Sequence, residues 1–170
     1  HVSPTIRNFT VVFDRETEDQ DPEILTSLTT SLTKEFKCTG LATLVHDGDI
    51  FLYWLYKKGK LLDKYNSDPG YFDTNATELS LPEGGDVKIF CNALDAPQKQ
   101  EALKNTFQLA QNSILENWKA ATLIGEEIHR EIAIIFDIPM FSVETGYYTI
   151  ENDFLSDEYD KNAFVKCKTV

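Results

Sequence analysis

Positive charge is short in this chain relative to negative. Its 170 residues hold 16 Lys and Arg against 28 Asp and Glu, a formal net charge of −12 with a pI near 4.6. Phosphate contacts need Lys and Arg to release condensed counterions, so neither nucleic acid nor an anionic membrane is expected as a partner. The acidity serves solubility first, and it also suits a specific basic partner. Cysteine is scarce too: Cys38, Cys91 and Cys167 are widely spaced and odd in number, which argues against a disulfide framework and for a reducing, cytoplasmic compartment. No apolar run approaches the ~20 residues that a membrane helix needs. No basic start leads into an apolar core and a small-residue cleavage site. Without such a signal the acceptor tripeptides at Asn8 and Asn75 carry no weight. A nucleophile elbow, a phosphate-binding glycine loop, a zinc-binding pair and a dinucleotide fingerprint are all missing, and no cofactor is expected.

Aromatic and apolar residues, by contrast, fall in ordered patterns. A hydrophobic fraction of 42% and an aromatic fraction of 12% suit a packed protein, and the length suits one domain over 1–170. The densest stretch is Ile50–Phe72, IFLYWLYKKGKLLDKYNSDPGYF. Ile50, Leu52, Trp54 and Tyr56 share one face of a strand and Phe51, Tyr53 and Leu55 the other. With both faces apolar, the strand belongs in the centre of a sheet. Asp47-Gly48 suits a type I′ turn from a strand at Leu41–His46, and Lys57-Lys58-Gly59-Lys60 supplies a second turn into Leu61–Tyr65.

Helix signals flank this meander. Asp21 caps a helix with Pro22 in its first turn and Leu25, Leu28, Leu32 and Phe36 along one face. Asp86 caps a shorter one with Val87, Phe90, Cys91 and Leu94 inward, ending before Pro97. Gln98–Lys119 carries Leu103, Phe107, Ala110, Ile114 and Trp118, and Glu126–Phe136 carries Ile128, Ile132 and Ile135, both at helical spacing. Phe9–Phe13 is expected as a buried strand, parallel to its neighbour if it joins the sheet. Met140–Ile150 is expected as a late strand with a bulge at Gly146. An acidic tail over 151–170 is expected to dock loosely. The fold class is therefore α+β: an antiparallel-dominated sheet of about five strands, βαβββ followed by helices and a late strand, with helices mainly on one face.

Asn66–Gly85 is a long irregular loop, and polar groups and aromatics leave the sheet together where it begins. Asp63 and Tyr65 point to one face and can present a carboxylate beside a phenol, and Asp68, Tyr71 and Phe72 follow. These five residues are the candidate binding site; turn chemistry alone also accounts for Asn66, Ser67, Asp68, Pro69 and Gly70. Glu126 and His129 have the i, i+3 spacing of di-iron helices, but one copy is too few, and a solvated helix face accounts for them. His46-Asp47-Gly48-Asp49 lacks the alternating ligands of a calcium loop and is expected as a hairpin turn. No metal site is expected.

The run Gly59, Leu61, Asp63, Tyr65, Ser67, Pro69, Gly70, Tyr71, Phe72, of the form G-x-L-x-D-x-Y-x-S-x-P-G-Y-F, resembles a family of uncharacterised bacterial proteins. The resemblance extends to Gly84-Gly85-Asp86 and to Gly146-Tyr147-Tyr148. It implies no function and no catalytic residues. Two functions are left by the residues themselves. One is a noncatalytic interaction or adaptor domain that engages a protein partner through Pro69–Phe72 or the acidic tail, with homodimerisation through exposed aromatics as a variant. The other is a small-molecule binder or enzyme with Asp63, Tyr65 and His46 lining a pocket.

Overall fold

Two glycine-bearing turns organise the sheet in the computed structural model, which describes residues 1–71, 80–117, 124–152 and 160–167. Asp47 and Gly48 take φ of 51° and 81°, and Lys58 and Gly59 take 53° and 78°, positive at both corners as type I′ turns require. They link β1 (Thr39–His46), β2 (Ile50–Lys57) and β3 (Lys60–Asn66) into an antiparallel meander with β2 in the middle. The two-residue β4 (Glu83–Gly84) adds to β3, giving the order β1-β2-β3-β4. Register shifts between Leu55, opposite Asp63, and Tyr56, opposite Leu61, which leaves Leu62 as the extra residue of a bulge. Beyond β3 the pairing is extended by Ser67: its N–H donates to the Phe51 carbonyl at 3.0 Å, and its hydroxyl accepts from the Phe51 N–H at 2.9 Å.

The helices are α1 (Pro22–Glu35), α2 (Val87–Ala93), α3 (Gln100–Asn117), α4 (Ile124–Phe136), α5 (Phe141–Glu144) and α6 (Tyr147–Glu151). Asp21 caps α1 by accepting from the Glu23 N–H, and Asp86 caps α2 by accepting from the Ile89 N–H. Strand alternation sends Phe51, Tyr53 and Leu55 to one face, where they are fully buried with Tyr65. There they pack with Phe90 and Cys91 of α2, Leu103 and Ala110 of α3, and Ile128, Ile132 and Phe136 of α4. The opposite face is covered by α1. Its approach is close: a Cβ at Gly40 would lie 2.4 Å from Thr33 Cγ2. The buried Thr33 hydroxyl donates to the Thr29 carbonyl at 2.8 Å and accepts from the Gly59 N–H at 3.1 Å. The α+β class and the central place of β2 follow as the alternation implies.

Four expectations are corrected. Among the described residues the sheet has four strands rather than about five. Phe9–Phe13 is not one of them, because positive φ at Arg7 and Asn8 folds the segment back on the residues before it. Ile6 and Phe9 form one bridge and Val2 and Val12 another. Every strand pair in the sheet is consequently antiparallel. Met140–Ile150 forms α5 and α6 rather than a strand, and Gly146 is the extended residue preceding α6. The start of α6 is held from far away in the chain, where Glu18 Oε1 accepts from the Tyr147 N–H at 2.5 Å. Phe36, expected on the inner face of α1, is instead exposed at its C-terminal end, past the contact of Thr33 and Lys34 with Gly59.

Phe13, Phe141 and Ile150 form a second, smaller core with Ile6, Val11, Tyr147 and Phe164 packed on it. Among the described residues no helix is long and apolar enough to cross a membrane.

Candidate functional site

Asp63 and Tyr65 share the core-facing side of β3, as their two-residue spacing requires, but their polar groups are not offered together. Tyr65 is directly opposite Tyr53 and Asp63 is opposite Leu55, which makes Asp63 a diagonal neighbour of Tyr53. The Tyr53 hydroxyl donates to Asp63 Oδ2 at 2.6 Å. Burial, and then this carboxylate, raise the Tyr53 phenol far above its ordinary range. Asp63 therefore serves as a structural acceptor. The two tyrosine rings lie nearly parallel with centroids 5.8 Å apart, and Phe107 from α3 stacks on Tyr65 at 4.4 Å.

Tyr65 has no such partner. It is 3% exposed, burial raises its phenol as well, and among the described residues its buried hydroxyl makes no hydrogen bond. An unmade buried hydrogen bond costs about 1–3 kcal/mol, so the two phenols should respond oppositely to removal. Tyr53→Phe is expected to lower unfolding stability by about 1–2 kcal/mol, while Tyr65→Phe leaves it unchanged or raises it by up to about 1 kcal/mol. Urea denaturation midpoints measure both. An equal loss in the two variants would mean that the Tyr65 hydroxyl has a structural partner.

Beside Tyr65 lies an open groove of about 210 Å³. Its far wall is one face of α3, where Lys104, Phe107, Gln108 and Gln111 recur at i, i+3, i+4 and i+7. The near wall is the segment of Gly84, Gly85 and Val87. A Cβ at Gly85 would touch Tyr65 Cδ2 at 2.8 Å and Phe107 Cε2 at 3.1 Å. The α3 quartet was missing from the candidate residues, although its spacing is visible in the sequence. The Gly84-Gly85 pair is visible in the sequence as well; its place across from α3 is set by its pairing with β3.

The other candidates gather at the opposite end of the hairpin. Asp68 is spent on its own turn: its carboxylate accepts from the Gly70 N–H at 3.1 Å, and its carbonyl accepts from the Tyr71 N–H at 3.3 Å. The turn places the Tyr71 ring edge-on to His46 with centroids 5.9 Å apart. Tyr71 is 40% exposed, and its phenol is raised by desolvation together with the carboxylates of Asp49, Asp47 and Asp68. His46 is bonded to Gln20 Oε1 at 2.5 Å and stands 3.5 Å from Asp47. Phe72 lies outside the described residues.

His129 is not on a solvated helix face. It is 9% exposed and stacks on Phe51 at 5.3 Å, and burial, with Arg130 adding to it, lowers its pKa to about 4. Glu126 is exposed, so the Glu126–His129 spacing makes no site. Strand alternation puts His46 on the α1 face and Phe51, with His129, on the other; the two histidines cannot share a pocket. Cys91 is buried in the core and its thiol is pushed up by desolvation, the inert state of a structural cysteine. Among the described residues no three His, Cys, Asp or Glu side chains are placed to hold a metal ion. No protein-family model, no curated protein and no solved structure matches the chain.

Proposed function

We propose that the chain is a noncatalytic interaction domain that recognises a basic partner segment through the tip of the β1–β2 hairpin and the Asp68–Tyr71 turn. One observation carries this reading: the partly exposed Tyr71 ring sits against His46 amid the fields of Asp47, Asp49 and Asp68. A flat aromatic with carboxylates around it suits a lysine or arginine, whose stem packs on the ring while its charge meets the carboxylates. The net charge of −12 would steer such a partner in.

Fluorescence anisotropy with a labelled Lys- and Arg-rich peptide tests the proposal. Affinity is expected to fall as salt rises from 50 to about 300 mM. Tyr71→Ala should weaken binding about tenfold, as loss of an aromatic anchor does, and the double change Asp47→Asn with Asp49→Asn about fivefold through the association rate. Binding that ignores both salt and these substitutions would refute it.

A further inference from the structure

The two edges of the described sheet are built differently. β4 is two residues long and follows Pro82, too short to receive another strand. β1 is the opposite edge: eight residues, Thr39–His46, in unbroken register with β2 and holding no Lys, Arg, Asp, Glu or Pro. We infer that this edge is a docking surface for a second copy of the chain, which pairs β1 with β1 antiparallel about a two-fold axis.

Hydrogen bonding is the first ground. Just before Thr39, which lies opposite Lys57, the Lys58 N–H donates to the Cys38 carbonyl at 3.0 Å. Bonded pairs alternate along an antiparallel ladder, so Gly40, Ala42 and Leu44 bond to β2. The same parity holds on the far side of β2, where Phe51 bonds to Ser67. Thr39, Leu41, Thr43 and Val45 therefore turn their backbone N–H and C=O groups outward. Gln20 Nε2 donates to the Val45 carbonyl at 3.3 Å. The backbone groups of Leu41 and Thr43 find no partner among the described residues. Unpaired groups on a long, uncharged edge are a template for another strand.

Charge is the second ground, and it selects both the partner and the direction. The end of the sheet where β1 begins carries Lys34, Lys37, Lys57, Lys58 and Lys60, five of the chain's 16 Lys and Arg residues. The end where β1 finishes carries Asp47, Asp49 and Asp68. A second copy laid antiparallel sets each cationic end beside its partner's acidic end, twice over. A parallel copy would set acid on acid.

An axis at Ala42 satisfies both requirements. Leu41 and Thr43 of each copy then exchange bonds with Thr43 and Leu41 of the other, and the bonds so formed use only groups that the single chain leaves unpaired. The buried Ala42 meets its own copy in a closely spaced, non-bonded pair. Lys37 falls opposite Asp47 of the second copy, and both are exposed. The contact is isologous, as a two-fold dimer requires.

Amide hydrogen exchange of the intact chain at about 10 and about 500 micromolar, read beside sedimentation equilibrium, tests the pairing. The mass should rise from 19.4 kDa towards twice that value. With it the Leu41 and Thr43 amides should gain at least about tenfold more protection than those of Ala42 and Leu44, which already bond to β2. Thr43→Pro removes an outward N–H and spares the β2 ladder, and should weaken the dimer at least about tenfold. Lys37→Glu should weaken it about threefold to fivefold, and Lys37→Glu with Asp47→Lys should restore it to within about twofold. A mass of one chain at both concentrations would overturn the inference and leave the edge to an extended segment of another protein. Protection of Leu41 and Thr43 that ignores concentration would overturn it too, because the chain would then cover its own edge. A dimer untouched by both Thr43→Pro and Lys37→Glu would place the contact elsewhere. No peptide enters these measurements, so failure of the dimer and failure of the hairpin-tip reading are told apart.

Discussion

Gly84→Ala is expected to lose about 3 kcal/mol or more of unfolding stability, the largest effect of any single methyl group considered for this chain. Gly84 has a φ of 79°, which an L-residue adopts at a cost of about 1–2 kcal/mol. The steric problem is worse. A Cβ there would fall 1.9 Å from the Lys64 carbonyl oxygen, which is backbone and cannot rotate away. That carbonyl also accepts from the Gly85 N–H at 2.9 Å, so relief of the clash breaks the bond that ties the segment to β3. β4 is only two residues long and pairs with β3 at Tyr65 and Asn66 alone, so little remains to hold it. Urea denaturation gives the size of the loss. Glu83→Ala, at an exposed position in the same strand, is the control and should stay within about 0.5 kcal/mol of the parent. A Gly84→Ala protein of parental stability would mean that β4 does not lie against β3 as described.

The second large effect is a pH dependence that resides in His129. Its pKa falls from 6.5 to about 4 in the folded state, chiefly because the ring is buried and secondarily because Arg130 is near. The folded pKa lies below the unfolded one, so between the two values the unfolded chain binds the proton more readily. Burial of the neutral ring is therefore accommodated in full above pH 6.5, and stability is lost as the pH falls through this window towards 4. The loss amounts to about 3 kcal/mol when the folded-state value is reached, from 1.36 kcal/mol per unit. His129→Phe keeps an aromatic ring against Phe51 and has no proton to take up. Stability curves of the two proteins at pH 7, 5.5 and 4.5 should diverge in favour of the variant as the pH drops. Carboxylates that titrate near pH 4 are common to both and cancel in the difference. Parallel curves would show that the imidazole is already protonated or solvated in the folded chain.

What could be read from the sequence was local. Asp21 and Asp86 announce their helices because a cap acts within three residues, and Asp47-Gly48 and Lys58-Gly59 announce their turns because positive φ is a property of the residues themselves. The centrality of β2 was equally legible, since a strand apolar on both faces must be covered on both. The misses share a different cause. Met140–Ile150 reads as a strand because the carboxylate that starts its second helix, Glu18 on the Tyr147 N–H, is far off in the chain. Phe9–Phe13 has the composition of a strand, yet its backbone partners are the residues just before it, and Arg7 and Asn8 do not advertise a turn. Asp63 and Tyr65 were paired correctly by face. Their separation came from a cross-strand neighbour: the register puts Tyr53 within reach of Asp63 and leaves Tyr65 with none. The buried state of His129 was hidden by its acidic neighbours Glu126 and Glu127, which point to solvent from the same helix.

The interaction face is tested most directly by an amide NMR titration of the intact chain with a Lys- and Arg-rich peptide at low salt. Shifts are expected to concentrate at His46–Asp49 and Ser67–Tyr71, to be absent in Tyr71→Ala and to be suppressed by salt. Shifts spread evenly over the acidic surface, or centred on any other element with Tyr71 unmoved, would contradict it.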